Sequence, residues 1–181
     1  LLSIDTFRSK VAKQAINKGA AIINDISAGM LDDNMLQTVA ELQVPYVMMH
    51  MKGTPQTMQS LATYEDVVKE VMFYFSERIN AARKLGINDV IVDPGFGFAK
   101  TLKHNYEIMQ NLEFFSILEL PILVGISRKS MIYKLLETTP NEALNGTSVL
   151  NTIALQKGAQ ILRVHDVKEA QECIKIFTQL K

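Results

Sequence analysis

The sequence predicts an α/β fold of parallel strands, and three observations carry that expectation. Six short apolar runs end in polar residues: Leu2–Asp5, Ala21–Asp25, Tyr46–His50, Asp89–Asp93, Ile122–Ser127 and Ile161–His165. Stretches with helical periodicity lie between them. Three of those stretches close alike, at Lys18-Gly19, Leu85-Gly86 and Lys157-Gly158, each shortly before an apolar run. Glycine there takes the left-handed conformation that ends a helix and turns the chain back. Strict alternation with short links means parallel strands, because each parallel pairing needs a crossover. An open doubly wound sheet and an eight-stranded barrel both accept that pattern. The open sheet concentrates its chemistry at one switch point, behind a glycine-rich turn. Here every strand ends in functional-looking groups, and no G-x-G-x-x-G follows a strand. A barrel brings all strand ends to one rim. The expected fold is therefore an incomplete (β/α)8 TIM barrel with six strand–helix units.

In chain order, Leu1-Leu2-Ser3-Ile4-Asp5 is already strand-like, without initiator methionine or polar lead-in. A chain rarely starts inside its own core, so we expect one barrel domain over 1–181, amino-terminally truncated by two units. Val11, Ala15 and Ile16 mark the first helix; Met35, Val39 and Leu42 mark the second. The longest opens at Thr63, with Asp66 completing an approximate capping box, and carries Val67, Val71, Phe75 and Ile79. Ile108, Met109, Leu112 and Phe115 mark the next. Ser148 to Lys157 is helical, and Val167, Ala170, Ile174 and Phe177 line the last. No linker or low-complexity segment divides the chain.

Bulk properties narrow the function classes. Acidic and basic residues balance at 19 each, so no field draws the chain to nucleic acid or an anionic membrane. No apolar run approaches the roughly 20 residues of a membrane span. The single Cys173 cannot form an internal disulfide, which suits a reducing cytoplasm; among helix-spaced apolar residues it reads as a packed thiol.

The chemistry gathers at strand ends. In Val92-Asp93-Pro94-Gly95-Phe96-Gly97-Phe98-Ala99-Lys100 a strand stops at a carboxylate, since the proline and glycines behind it continue neither strand nor helix. Arg163 and His165 lie two apart and share a face. Such a pair suits a phosphate, or Arg163 pairs with a rim carboxylate such as Asp166. Both readings stay open. Arg128 and Lys129 open a helix against its dipole, which hints at a purpose beyond stability. His50 and His104 read as structural. Asp5, Asn24, Asp25 and Asp93 would suit a metal or a heterocycle rich in N–H donors. No ligand spacing such as H-x-x-x-H favours the metal, whereas a carboxylate accepts two parallel N–H bonds and an amide offers one donor and one acceptor.

With those residues in view, the chain resembles the dihydropteroate synthases of the pterin-binding barrel superfamily. The likeness rests on Ser3-Ile4-Asp5-Thr6, Ile23-Asn24-Asp25-Ile26-Ser27, Met48-Met49-His50-Met51, Asp93-Pro94-Gly95-Phe96-Gly97-Phe98, Gly125-Ile126-Ser127-Arg128-Lys129-Ser130 and Arg163-Val164-His165-Asp166-Val167. Each is weak alone; six in the family's order are specific. The resemblance implies condensation of 6-hydroxymethyl-7,8-dihydropterin pyrophosphate with p-aminobenzoate, giving 7,8-dihydropteroate and pyrophosphate. It implies a pterin held by Asp5, Asn24, Asp93 and Lys129, with Asp5 and Lys129 in catalytic parts. It implies pyrophosphate on Arg163 and His165, and p-aminobenzoate near Phe98, Lys129 and Ser130. Mg²⁺ is the expected cofactor, its Asn ligand on a first strand that this chain does not contain, so no metal ligand is expected here. A cytoplasmic enzyme, a possible homodimer and a sulfonamide target are implied too, with weak activity for this chain alone. Ala99 stands where family members usually have glycine. The alternative is a pterin-binding methyltransferase passing a folate methyl group to a corrinoid, which would have no pyrophosphate to hold.

Overall fold

The computed structural model describes residues 1–58 and 60–180. Among them, parallel strands follow one another in chain order: β1 (Ser3–Asp5), β2 (Ile22–Asp25), β3 (Tyr46–Met49), β4 (Val90–Asp93), β5 (Leu123–Val124) and β6 (Ile161–Leu162). β1 to β4 form one sheet and β5–β6 a second. A parallel bridge between Val92 and Ile122 carries the order across, with the Val92 amide donating to the Pro121 carbonyl at 2.9 Å. The crossovers are α1 (Ser9–Asn17), α2 (Met35–Leu42), α3 (Val67–Lys84), α4 (Leu102–Gln110), α5 (Ser130–Tyr133) with α6 (Leu144–Gln156), and finally α7 (Val167–Thr178). The α/β class with parallel strands is as expected. Strands are shorter than the apolar runs, most of all β5 and β6, where Gly125, Ser127 and Arg163 to His165 lie beyond the ladder and line a pocket at the strand ends.

The glycine signals have a backbone cause. Gly19, Gly86 and Gly158 adopt φ of +102°, +81° and +98°. A Cβ at any of them would meet nothing within 4 Å, so conformation alone, and not space, calls for glycine. The start of α3 differs from expectation. Asp66 is itself the N-cap and accepts from the Lys69 amide at 3.0 Å, so the helix opens at Val67. The reciprocal capping box stands at α4, where Thr101 and His104 each satisfy the other's amide, which makes His104 a helix-start residue as read.

Alternation along the strands separates two faces. Ile23, Tyr46, Met48, Val90, Val92, Ile122 and Val124 pack with Val71, Phe75 and Ile79 of α3 and Ile108 and Phe115 beyond it. Residues of opposite parity, Ser3, Asp5, Ile22, Asn24, Val47, Ile91, Leu123, Ile161 and Arg163, line a cavity of about 310 Å³ together with Leu162. α7 corrects one expectation: Ala170 is buried, but Val167 and Ile174 are 58% and 40% exposed. Cys173 is half-buried, its Sγ 3.6 Å from the Ser148 carbonyl. No helix among the described residues is long and apolar enough to cross a membrane.

Candidate active site

Asp93 ends β4 fully buried. Pro94 has no N–H for the ladder, and Gly95 follows at φ +73°. A Cβ on Gly95 would stand 2.1 Å from the His50 carbonyl oxygen, so only glycine lets this loop cross the end of β3. Asp93 Oδ1 accepts from the Gly95 amide at 2.8 Å. Oδ2 lies 3.1 Å from Arg163 Nη2, yet no donor is aligned on it as a hydrogen bond. The pair is electrostatic, and the buried oxygen keeps its directional accepting capacity for something else.

Asn24 and Asp93 are joined through one guanidinium. Arg163 Nη1 donates to Asn24 Oδ1 at 3.2 Å while Nη2 faces Asp93. Of the two readings left open for Arg163, the carboxylate pair is present, but deep in the rim. Asp166 is taken instead by Arg128, whose Nε and Nη2 reach its two oxygens at 2.8 and 2.9 Å. Arg128, at φ +53°, also donates to the Pro140 carbonyl, so it is a structural brace and not a rim cation. Arg163 can lie inward because Gly125 has no side chain. A Cβ there would sit 2.6 Å from Nη2 and 2.9 Å from Nε. If Arg163 takes the pyrophosphate that the resemblance implies, Gly125→Ala should leave the fold intact, push the guanidinium off Asn24 and weaken pyrophosphate binding by about tenfold; titration calorimetry with pyrophosphate checks this, and unchanged affinity would exclude the seat.

Lys129 lies across the β4–α4 loop. Its Nζ donates to the Phe96 carbonyl and stands 5.1 Å from the Phe98 ring centroid. Burial brings its pKa down to about 8, with Asp93 opposing and Arg163 adding to the fall. Ser130 begins α5 beside it. A pocket of about 140 Å³ opens between Gly125, Ser127, Lys129, Arg163, Val164 and His165. The Ser127 hydroxyl fixes His165 there, 2.9 Å from Nδ1, and accepts from the His165 amide at 3.2 Å. Two cations and an imidazole around a small concavity suit an anion.

Two acidic residues separate as strand parity requires. Asp5, on exposed β1, pairs in register with Asn24 and lines the same cavity. Asp25 does not share the mouth, although its type suggested that it might. It faces the helices, fully buried, accepting from Tyr46 Oη at 2.6 Å and from the Ser27 and Gly29 amides at 2.8 and 2.7 Å. Its charge is consumed by the β2–α2 turn.

Sequence reasoning missed Lys100, which is 4% exposed. Its Nζ lies 2.9 Å from His50 Nδ1 and donates to the Gly95 and Phe98 carbonyls, both at 3.0 Å. His50 is structural, as read, and burial with Lys100 and Lys52 nearby holds its pKa well below the usual histidine range. The available signal was a lysine directly behind a glycine-rich loop. Burial lowers the Lys100 pKa from 10.5 to about 7, Asp93 opposing and Lys129 adding. The unfolded chain then holds a proton that the folded chain has lost between those two values. Stability should accordingly rise with pH from about 7 to about 10, the burial penalty being fully present below that window. Lys100→Met should flatten the rise, measured as urea midpoints at neutral and alkaline pH.

Among the described residues no cluster of three or more His, Cys, Asp or Glu could hold a metal ion.

A parallel α/β scaffold thus brings a buried carboxylate, an amide and a lysine beside a small cationic pocket, a donor and acceptor set chemically suited to N–H groups and an anion. The profile of the pterin binding enzyme family matches residues 1–165, and the chain belongs to that family. It is 44% identical over 177 residues to the dihydropteroate synthase of Escherichia coli K12, aligning 97% of this chain with 62% of that protein. It is 40% identical over 178 residues to that of Haemophilus influenzae, covering 97% and 64%. The Yersinia pestis dihydropteroate synthase in a sulfonamide complex superposes with a TM-score of 0.95 at 39% identity, over 99% of this chain and 66% of that one. The Xanthomonas albilineans enzyme with 7,8-dihydropteroate gives 0.92 at 36%, over 99% and 68%. The chain thus spans 62% and 64% of the length of these two curated relatives.

Proposed function

We propose that the protein carrying this chain is a dihydropteroate synthase of folate biosynthesis, a transferase. The observation that carries the proposal is the Oδ2 of Asp93, buried without an aligned donor and flanked by Asn24, Lys129 and Arg163. The pterin's ring amide N–H and amino group donate to Asp93. Asn24 and Asp5 complete the edge, and Lys129 donates to the ring carbonyl. Arg163 and His165 hold the diphosphate in the pocket beside it. The C–O bond from the pterin methylene to the diphosphate breaks, and pyrophosphate leaves with the bonding pair. Carboxylates already in place stabilise the positive charge spreading over the methylene and ring, which is commonly worth a few kcal/mol. The p-aminobenzoate nitrogen, stacked near Phe98, Lys129 and Ser130, then forms the new C–N bond and loses a proton. The relatives' sulfonamide and dihydropteroate complexes support this reading.

The remaining expectations belong to the same proposal. One parallel order with a shared inner cavity supports a (β/α)8-type barrel arrangement of these six strand–helix units. With β1 and β6 each paired on one side only among the described residues, we expect this chain alone to be weakly active. The exposed Val167 and Ile174, with Val149 of α6 also 50% exposed, support a homodimer through the late helices. Mg²⁺ and a cytoplasmic location rest on the resemblance alone. The methyltransferase alternative has no use for the pocket at Arg163 and His165. Fluorescence titration of 6-hydroxymethylpterin tests the assignment: pyrophosphate should tighten its binding several-fold, and indifference to pyrophosphate would refute the synthase.

A further inference from the structure

The β4–α4 loop is held by side chains from α4 and the approach to α3 and, most of all, by its own Lys100. The Gly97 amide donates to Asn105 Oδ1 at 2.7 Å. The Ala99 carbonyl accepts from Tyr64 Oη at 2.8 Å. The Gly95 and Phe98 carbonyls both accept from Lys100, whose third neighbour is His50 at the end of β3. Ala99 itself is kept at φ +48°, a conformation that costs a non-glycine residue about 1–2 kcal/mol. The loop is therefore over-determined against a local preference. An ammonium is an expensive way to do this, since burying a charge carries a desolvation penalty that a methionine of similar length avoids.

Resting on the proposed function, we propose that Lys100 is a positioning residue that sets the arylamine side of the site by fixing Phe98. The Phe98 carbonyl is tied to Lys100 while its ring faces Lys129 Nζ, so the ring's place follows from the Lys100 bonds. Asp93 depends on them less. It is held in register with Met49 in the β3–β4 ladder and has its own bond to the Gly95 amide. Losing Lys100 therefore separates the two halves of the site: Phe98 moves and the carboxylate stays. The same strut joins the end of β3, through His50, to the loop after β4, so that the two strand-end loops move as one piece.

The test compares Lys100→Met with the unmodified protein, titrating a pterin with pyrophosphate, and then a sulfonamide onto the pterin–pyrophosphate complex. Sulfonamide affinity should fall roughly tenfold while pterin affinity changes less than about threefold. Equal losses for both ligands, or no loss for either, overturn the proposal. If the unmodified protein binds neither ligand, the functional reading fails separately, and amide hydrogen exchange decides the strut. Gly97 and Phe98 should exchange faster in Lys100→Met, with β2 and β3 unchanged. Uniformly faster exchange, or none, overturns it. Should Lys100→Met not fold, His50→Gln keeps the test, since it removes the imidazole anchor and should produce the same split in smaller measure; equal losses for both ligands, or none, would overturn the proposal there too.

Discussion

Asp93→Asn is expected to lower pterin affinity by roughly a hundredfold, the largest effect of any conservative change in the rim. The Gly95 amide donates to one carboxylate oxygen and would hold the asparagine carbonyl in that position. The new NH₂ group is then forced into the place of Oδ2, where a donor meets the ring's own donors. The charge-assisted bond at that position, contributing about 1.5–3 kcal/mol, disappears and a donor–donor contact replaces it. Arg163 also loses its buried counter-charge, which works against it less because its side chain is 37% exposed and can turn to water. Equilibrium titration of the pterin, with circular dichroism as a check on folding, measures this. An affinity within threefold of the parent would mean that the ring is not held at Asp93.

Lys129→Ala should weaken the pterin and the arylamine together, each by about tenfold. Its Nζ lies between the Phe96 carbonyl and the Phe98 ring, where one ammonium can serve both substrates. A loss confined to p-aminobenzoate would contradict the placement of Lys129 on the pterin. The pH dependence carries a second signature. With the pKa lowered to about 8 by burial, the cation is lost as pH rises through that value. Retention of the diphosphate-bearing pterin should decline above it and persist below it. The alanine variant, lacking the group, should lose that decline.

These expectations draw on both levels of the molecule in unequal parts. Arg163 and His165 could be placed on one face from the sequence because the two-residue period of a strand is local covalent geometry, and both line one pocket. The same period separates Asn24 from Asp25, yet residue type alone drew Asp25 to the mouth; only the fold shows it spent on Tyr46 and the Ser27 turn. Helix ends at Gly19, Gly86 and Gly158 were equally legible, since a left-handed φ is a property of one residue. The α3 boundary was not, because Asp66 could complete a box or be the cap itself.

By itself, then, the sequence determined the alternation of strand and helix, which residues share a face, and the chemical set offered at the strand ends. The tertiary structure alone decided which cation meets which carboxylate. Arg128 claims Asp166, which releases Arg163 to Asp93 and Asn24 across a Cβ that Gly125 lacks. It alone buried Lys100 against His50, a residue 50 positions away in the chain. The physical reason is the same in both cases. Strand parity depends on neighbouring peptide units, whereas ion pairing depends on stagger between strands and on the space left by atoms far away in the chain.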